Sequence, residues 1–193
     1  MEDTLARYRR VLGNDHVVTL RVAHSWAARL RAQGAYGRAR PLDEDTLRRY
    51  RRVLGDDHPA TLSSAENLAA DFGALGDHEQ ARQLDDQILT RRRRLLGADH
   101  LDTLRAAHNL AVDLRALGEF DQARLLHQEA LTRRRQVLGA NHPDTLCSAS
   151  SLARDLRALG QPEQARPLDD DTLTRRRRVL GADHAALGAQ FGR

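Results

Sequence analysis

A chain of 193 residues with 40% hydrophobic, 30% charged and only 4% aromatic side chains has the palette of helices packed through aliphatic and small residues. No run approaches the ~18–20 apolar residues that span a bilayer, and acidic Glu2 and Asp3 stand where a secretory leader would be basic, so a soluble, cytoplasmic protein is expected. The single cysteine, Cys147, permits no internal disulfide, and the 31 basic residues behind the net charge of +4 are all arginine, which points to GC-rich, bacterial codon usage rather than to a ligand.

Residues 1–12 read as a helix with a Leu5, Tyr8, Val11, Leu12 stripe, ended by Leu12-Gly-Asn-Asp-His16. That phrase returns at Leu54, Leu96, Leu138 and Leu180, 42 residues apart each time. A fixed period of this length is the signature of units that cannot bury a core alone and stack to do so. The chain is therefore read as a single repeat array over 1–193. It begins with a half repeat at 1–12 that supplies a second helix only. Complete pairs follow at 17–54, 59–96, 101–138 and 143–180, and residues 185–193 start a further repeat.

Within each pair the first helix (A) and the second (B) are punctuated alike. Gly13, Gly55, Gly97, Gly139 and Gly181 are placed to stop the B helices, and Gly34, Gly76, Gly118 and Gly160 the A helices. Asp15, Asp57, Asp99, Asn141 and Asp183 are expected to cap the next helix, and Pro59 and Pro143 fit its first turn. In the second pair, Leu62, Ala65, Leu68, Ala69, Phe72 and Leu75 share one face of helix A, while Ser63, Asn67, Ala70 and Ala74 share the other. Ala81, Leu84, Ile88 and Leu95 stripe helix B, repeated as Ala123, Leu126, Ala130 and Val137. Small Ala39, Ala81, Ala123 and Ala165 allow A and B to approach within ~8–10 Å.

Asn67-Leu68-Ala69 and Asn109-Leu110-Ala111 inside helix A, Ala-Arg early in helix B, and Leu-Gly-x-Asp/Asn-His-Pro-x-Thr-Leu between units carry a resemblance. The pattern resembles the long tetratricopeptide repeat of the kinesin light chain type, common in multidomain bacterial proteins. The resemblance implies an all-α, right-handed α-solenoid of antiparallel helix pairs whose A helices line a concave groove for extended peptide segments. It also implies that the helix A asparagine, here Asn67 and Asn109, hydrogen-bonds a bound peptide backbone. The equivalent positions in the first and fourth pairs are the shorter Ser25 and Ser151.

A concave solenoid face is an extended binding surface on physical grounds as well. Its candidate lining is Arg21, Ser25 and Arg29; Ser63, Asn67 and Asp71; Arg105, Asn109 and Asp113; and Cys147, Ser151 and Asp155. Amides, hydroxyls and charges of both signs could satisfy a peptide backbone and select side chains. The leading expectation is thus a non-catalytic scaffold that binds a peptide or partner domain.

Two other features invite a different reading. His16, His58, His100, His142 and His184 recur without exception, but equivalent positions of stacked helices lie ~8–10 Å apart, too far to share a metal ion. They are read as turn residues bonding near the helix start. The arginine runs at 7–10, 48–52, 91–94, 133–135 and 175–178 could form a phosphate-binding ladder for nucleic acid. Four consecutive helical residues cover most of the circumference, however. Asp45 with Arg49, Glu129 with Arg133 and Asp171 with Arg175 also stand in a favourable i, i+4 order. Nucleic acid is the alternative partner, and end-to-end stacking of copies through the terminal repeats a third. No phosphate loop, paired metal-ligand motif or nucleophile elbow occurs, so no enzyme activity, cofactor or metal is expected.

Overall fold

The computed structural model of the chain describes residues 2–191, with side chains described over 2–179. Among the described residues there are nine α-helices and no strand: α1 Glu2–Leu12, α2 Val17–Ala32, α3 Tyr36–Leu54, α4 Pro59–Ala74, α5 His78–Leu96, α6 Leu101–Ala116, α7 Phe120–Leu138, α8 Pro143–Ala158 and α9 Pro162–Phe191. The chain divides into two units, Met1–Gly97 and Ala98–Arg193. The first holds α1 to α5 and the second α6 to α9.

Every A helix starts in the same way. His16, His58, His100 and His142 take an extended conformation, and each Nδ1 accepts the amide N–H two residues on, at 3.3, 3.1, 3.1 and 3.2 Å. One orphan donor of each helix start is thereby satisfied. The recurrent histidines are N-caps, and the acidic residues before them have a different job. Arg49 Nη1 donates to Asp15 Oδ1 at 2.8 Å, and 34 residues likewise separate Arg91 from Asp57 (2.9 Å), Arg133 from Asp99 (2.5 Å) and Arg175 from Asn141 (2.9 Å). The turn before each A helix is thus clamped by the end of the B helix that follows it. The cap expected of these acids goes to histidine because its longer side chain folds back onto the first turn while the carboxylate points at the guanidinium.

The A-to-B corner is a Schellman turn. In the second pair, Asp77 N–H reaches back to Phe72 O at 2.9 Å across Gly76 at φ +86°, a conformation in which a Cβ would be strained. The same bond recurs from Ala35, Glu119 and Gln161. At the B-to-A turn Gly55 sits at φ 84°, ψ 166°, a region used almost only by glycine.

The core runs between A and B helices. In the first unit Ala27, Leu30 and Ala39 pack together with Trp26, Ala35 and Leu42; in the second Leu131, Ala149, Leu152, Ala153, Leu156 and Ala165 do so with Leu168. Ala39, Ala81 and Ala123 have no exposed surface, in keeping with close helix crossings. Leu75, Leu95 and Val137, expected in the buried stripes, are exposed instead. Leu75 has become the C-cap of α4. Leu95 and Val137 lie in the last turn of 19-residue B helices, which overhang the 16-residue A helices.

Two further departures concern the ends. In α1, Leu5 is buried, but Tyr8 is 37% exposed, whereas Tyr50 at the same repeat position of α3 is 2% exposed. In α9 the helix continues through Gly181, where a stop was expected. Glycine permits the break without imposing it. The expected start of a further repeat at 185–193 lies outside the residues whose side chains are described.

Candidate functional site

In the first unit the outward face of α2 carries Arg21, Ser25 and Arg29, all exposed. On α4, Ser63 and Asn67 are half-buried. The Asn67 amide nitrogen lies 3.1 and 3.3 Å from the two ring nitrogens of His24, one helix over. Burial, with Arg31 adding its positive charge, pushes the His24 imidazole below its ordinary range, so the ring is neutral there. Asp71, one turn beyond Asn67, is wholly buried. Its Oδ1 lies 3.7 Å from Arg31 Nη1, which also bonds Asp43 on α3.

In the second unit Arg105 is exposed and pairs with Asp102 at 2.8 Å. Asn109 is half-buried on α6 and makes no side-chain hydrogen bond to the described residues. On α8, Cys147 is exposed, but Ser151 is buried and Asp155 has no exposed surface. Asp155 lies 2.5 Å from His127 Nδ1 and 3.6 Å from Arg115 Nη1.

The faces therefore hold Arg21, Ser25, Ser63, Asn67, Arg105 and Asn109 within reach of solvent, while Asp71, Asp113, Asp155 and Ser151 are turned into the packing. The cause is geometric. Helix α4 lies against both α3 and α5, and α8 against both α7 and α9. A helix flanked on two sides keeps a narrower open stripe than a two-face projection suggests.

Asp71 and Asp155 belong to a motif that occurs once in each unit: an arginine near the A-helix end, a polar residue in the third turn of B, and an aspartate on the next A helix; Gly73 stands at the arginine position that would precede Asp113. It is Arg31, Asp43 and Asp71 in the first unit, and Arg115, His127 and Asp155 in the second, with Arg157 and Asp169 bonded as its start again in the fourth pair. Its signal in the sequence is the aspartate five residues before the A-helix glycine, at Asp71 and Asp155.

A second pair of equivalent positions sits higher on the same helices. Arg92 Nη1 meets Glu66 Oε1 at 2.5 Å, and Arg176 Nη2 donates to Ser150 Oγ at 3.2 Å. Tyr50 and His24 occupy the two positions in the first pair, and Arg134 and His108 in the third. Arg134 is buried and donates to Ser148 Oγ (2.7 Å) and the Asp144 carbonyl (3.2 Å). Burial pushes His108 down to about 4, helped by His127, Arg134 and Arg115 and opposed by Asp155. The His108 and His127 ring centres are 5.1 Å apart.

The arginine runs are thus built into the repeat. Besides the clamps, Arg49 bonds Asp45 at 2.8 Å, Arg133 bonds Glu129 at 3.0 Å and Arg175 bonds Asp171 at 2.8 Å, the expected i, i+4 pairs. Hydrogen bonds from Arg52 and Arg49 hold Asp15 below the usual carboxylate range, and those from Arg94 and Arg91 do the same for Asp57.

Helix pairs repeated at one interval, joined by the same caps and the same buried polar contacts, define an all-α repeat solenoid. The tetratricopeptide repeat family model matches residues 19–89, 62–136 and 115–178. The chain belongs to the tetratricopeptide repeat family. Among solved structures it is similar to nearly identical TPR-like repeats of a Podosopora anserina kinesin light chain. A single-substitution variant of those repeats has TM-score 0.84 at 26% identity over 93% of this chain and 84% of that one. A second structure of these repeats has TM-score 0.82 at 26% identity over 92% and 84%. BtubC (BKLC) from P. vanneervenii shares the fold, with TM-score 0.82 at 20% identity over 93% and 72%. No curated protein matches the chain. Tetratricopeptide repeats generally mediate protein–protein interaction, and this kinesin light chain-like fold is typically a non-catalytic scaffold. No described helix is long and apolar enough to cross a membrane.

Proposed function

We propose that the chain is a non-catalytic interaction module that binds an extended peptide or partner segment on its A-helix faces. The residues that act are Arg21, Ser25, Ser63 and Asn67 in the first unit and Arg105 and Asn109 in the second. The observation that carries this reading is Asn109, a half-buried amide on α6 with no side-chain hydrogen bond to the described residues. The amide is half-buried and open to water, and a peptide backbone offers a donor and an acceptor together that can take the place of that water. Asn67 is the matching amide of the first unit, poised against a neutral His24 ring that a ligand carbonyl can displace. Asp71, Asp113, Asp155 and Ser151 act beneath this surface by holding the helices that present it.

The test is a peptide display selection against the natural chain, followed by anisotropy titration of the selected peptide with the natural chain and with Asn67→Ala/Asn109→Ala. Loss of a bidentate backbone contact at each amide predicts at least a roughly tenfold weaker affinity. A variant that stays helical and binds equally well would remove the amides from the site. Affinity that collapses with salt but ignores the amides would favour the arginine runs and a nucleic-acid partner.

A further inference from the structure

We propose that Asp43 and Asp71 together hold one proton in the native first unit, and that its release above neutral pH loosens the α2–α4 face, making that face pH-responsive. The effect on ligand binding rests on the reading of the preceding subsection; the proton site itself does not.

Counting charges comes first. Both carboxyl groups are wholly buried, and both contact the same nitrogen of Arg31. Three of their four oxygens, Asp43 Oδ1 and both oxygens of Asp71, are out of solvent with no hydrogen-bond donor. One guanidinium can balance one carboxylate. A second naked carboxylate in the same dry site is far costlier than a carboxylic acid that donates to its neighbour.

The second unit supplies an independent comparison. At the position of Asp43 stands His127, and its Nδ1 lies 2.5 Å from Asp155, the counterpart of Asp71. In the second unit a hydrogen therefore stands between these two positions. The imidazole supplies it. In the first, where both residues are acids, a shared carboxyl proton does so.

Burial pushes the Asp43 carboxyl up to about 7, with Arg31 opposing the rise and Asp71 reinforcing it, and burial raises Asp71 as well. The surrounding groups are few. From α2 the site is faced by Arg31, with His24 within electrostatic reach of that arginine. On α3, Arg40 is turned away to Glu44 (2.9 Å) and Asp77 (3.0 Å). From α4 comes Asp71 itself, and no α5 group is among the charges acting on either carboxyl. The sign follows. A carboxyl with a raised native pKa favours the folded state while it is protonated, and that contribution is lost as pH rises from about 4 to about 7. Above that, two carboxylates face each other across one arginine. The cheapest relief is to part α2, α3 and α4, which carry the three side chains. Asn67 lies one turn from Asp71 on α4 and Ser25 lies on α2, so the loosened elements are the ones that bear the candidate ligand groups.

The experiment is a carboxyl-carbon NMR titration of the whole chain, with hydrogen exchange measured at about pH 6 and about pH 8 and corrected for intrinsic rate. One aspartate should titrate near 7, and α2 and α4 amides should exchange at least roughly tenfold faster at the higher pH. Asp43→Asn, which supplies the hydrogen permanently, and Asp43→His, which copies the second unit, should each abolish that titration and flatten the exchange difference. Aspartates that all titrate in the ordinary range near about 4, or exchange that is the same at both pH values, would overturn the proposal. Peptide binding that is absent at both pH values while the titration persists would refute the groove reading and leave the proton site standing.

Discussion

Arg92 and Glu66 offer a test of whether the repeat tolerates different chemistry at one buried position only when both partners change together. Arg92 is 3% exposed, and its guanidinium meets Glu66, itself 12% exposed on the side chain, at 2.5 Å. Removing one partner of a buried pair costs ~3–5 kcal/mol, because the other charge stays in the dry site. Arg92→Tyr alone strips the guanidinium from Glu66, and partial exposure of the glutamate sets the expected loss at the lower end, ~3 kcal/mol. The first pair already carries Tyr50 and His24 at the equivalent positions, with Tyr50 buried. Arg92→Tyr with Glu66→His therefore rebuilds an arrangement the fold accepts, and a swap of comparable volume costs less than ~1.5 kcal/mol. Urea denaturation of the natural chain, both single variants and the double variant gives a coupling energy, expected at ~2 kcal/mol. A coupling below ~0.5 kcal/mol, with the double variant as unstable as the sum of its parts, would refute the reasoning.

Other outcomes follow from the same packing. His108 has a native pKa near 4 against 6.5, so the second unit should lose up to ~3 kcal/mol as pH falls from about 6.5 towards 4. His108→Gln should remove that dependence, and an imidazole titrating near 6.5 by NMR would contradict it. The Asp43–Asp71 pair acts with the opposite sign over much of the same window, so overall stability should vary less with pH than either unit does by residue-resolved exchange. His142→Ala removes the α8 cap and should cost ~1 kcal/mol in urea unfolding; a variant as stable as the natural chain would mean that the 3.2 Å bond to the Asp144 amide contributes nothing.

The helices were legible because period and punctuation agree: the glycines that end α2, α4, α6 and α8 stand at positive φ. The turn role of the histidines was legible too, since repetition without convergence argues for local bonding. The acids at Asp15, Asp57 and Asp99 were misread because their partners lie 34 residues away, and no local rule looks that far. Asp71, Asp113 and Asp155 were read as open groove residues because a helical projection says which side chains share a face but not how many neighbours crowd the helix. Polar type was taken for exposure, and the compensating arginine and histidine sit on other helices. Asn67 and Asn109 stay half-buried, whereas Ser151 at the equivalent position of α8 is buried.

The clamp between the turn and the end of the same helix pair bears on how such a chain can grow. A stretch of 42 residues cut at the turn carries the aspartate at its beginning and the arginine near its end, so each module brings both halves of its own fastening. Copying that stretch in the gene adds a piece that closes on itself, with a loop short enough to find its ends quickly during folding. Copying 42 residues cut elsewhere keeps the same 34-residue spacing throughout, because the period is unchanged. A length change by whole repeats is then the mutation this architecture tolerates best, while an insertion of a few residues between Asp57 and Arg91 would separate a pair that the rest of the unit is built around.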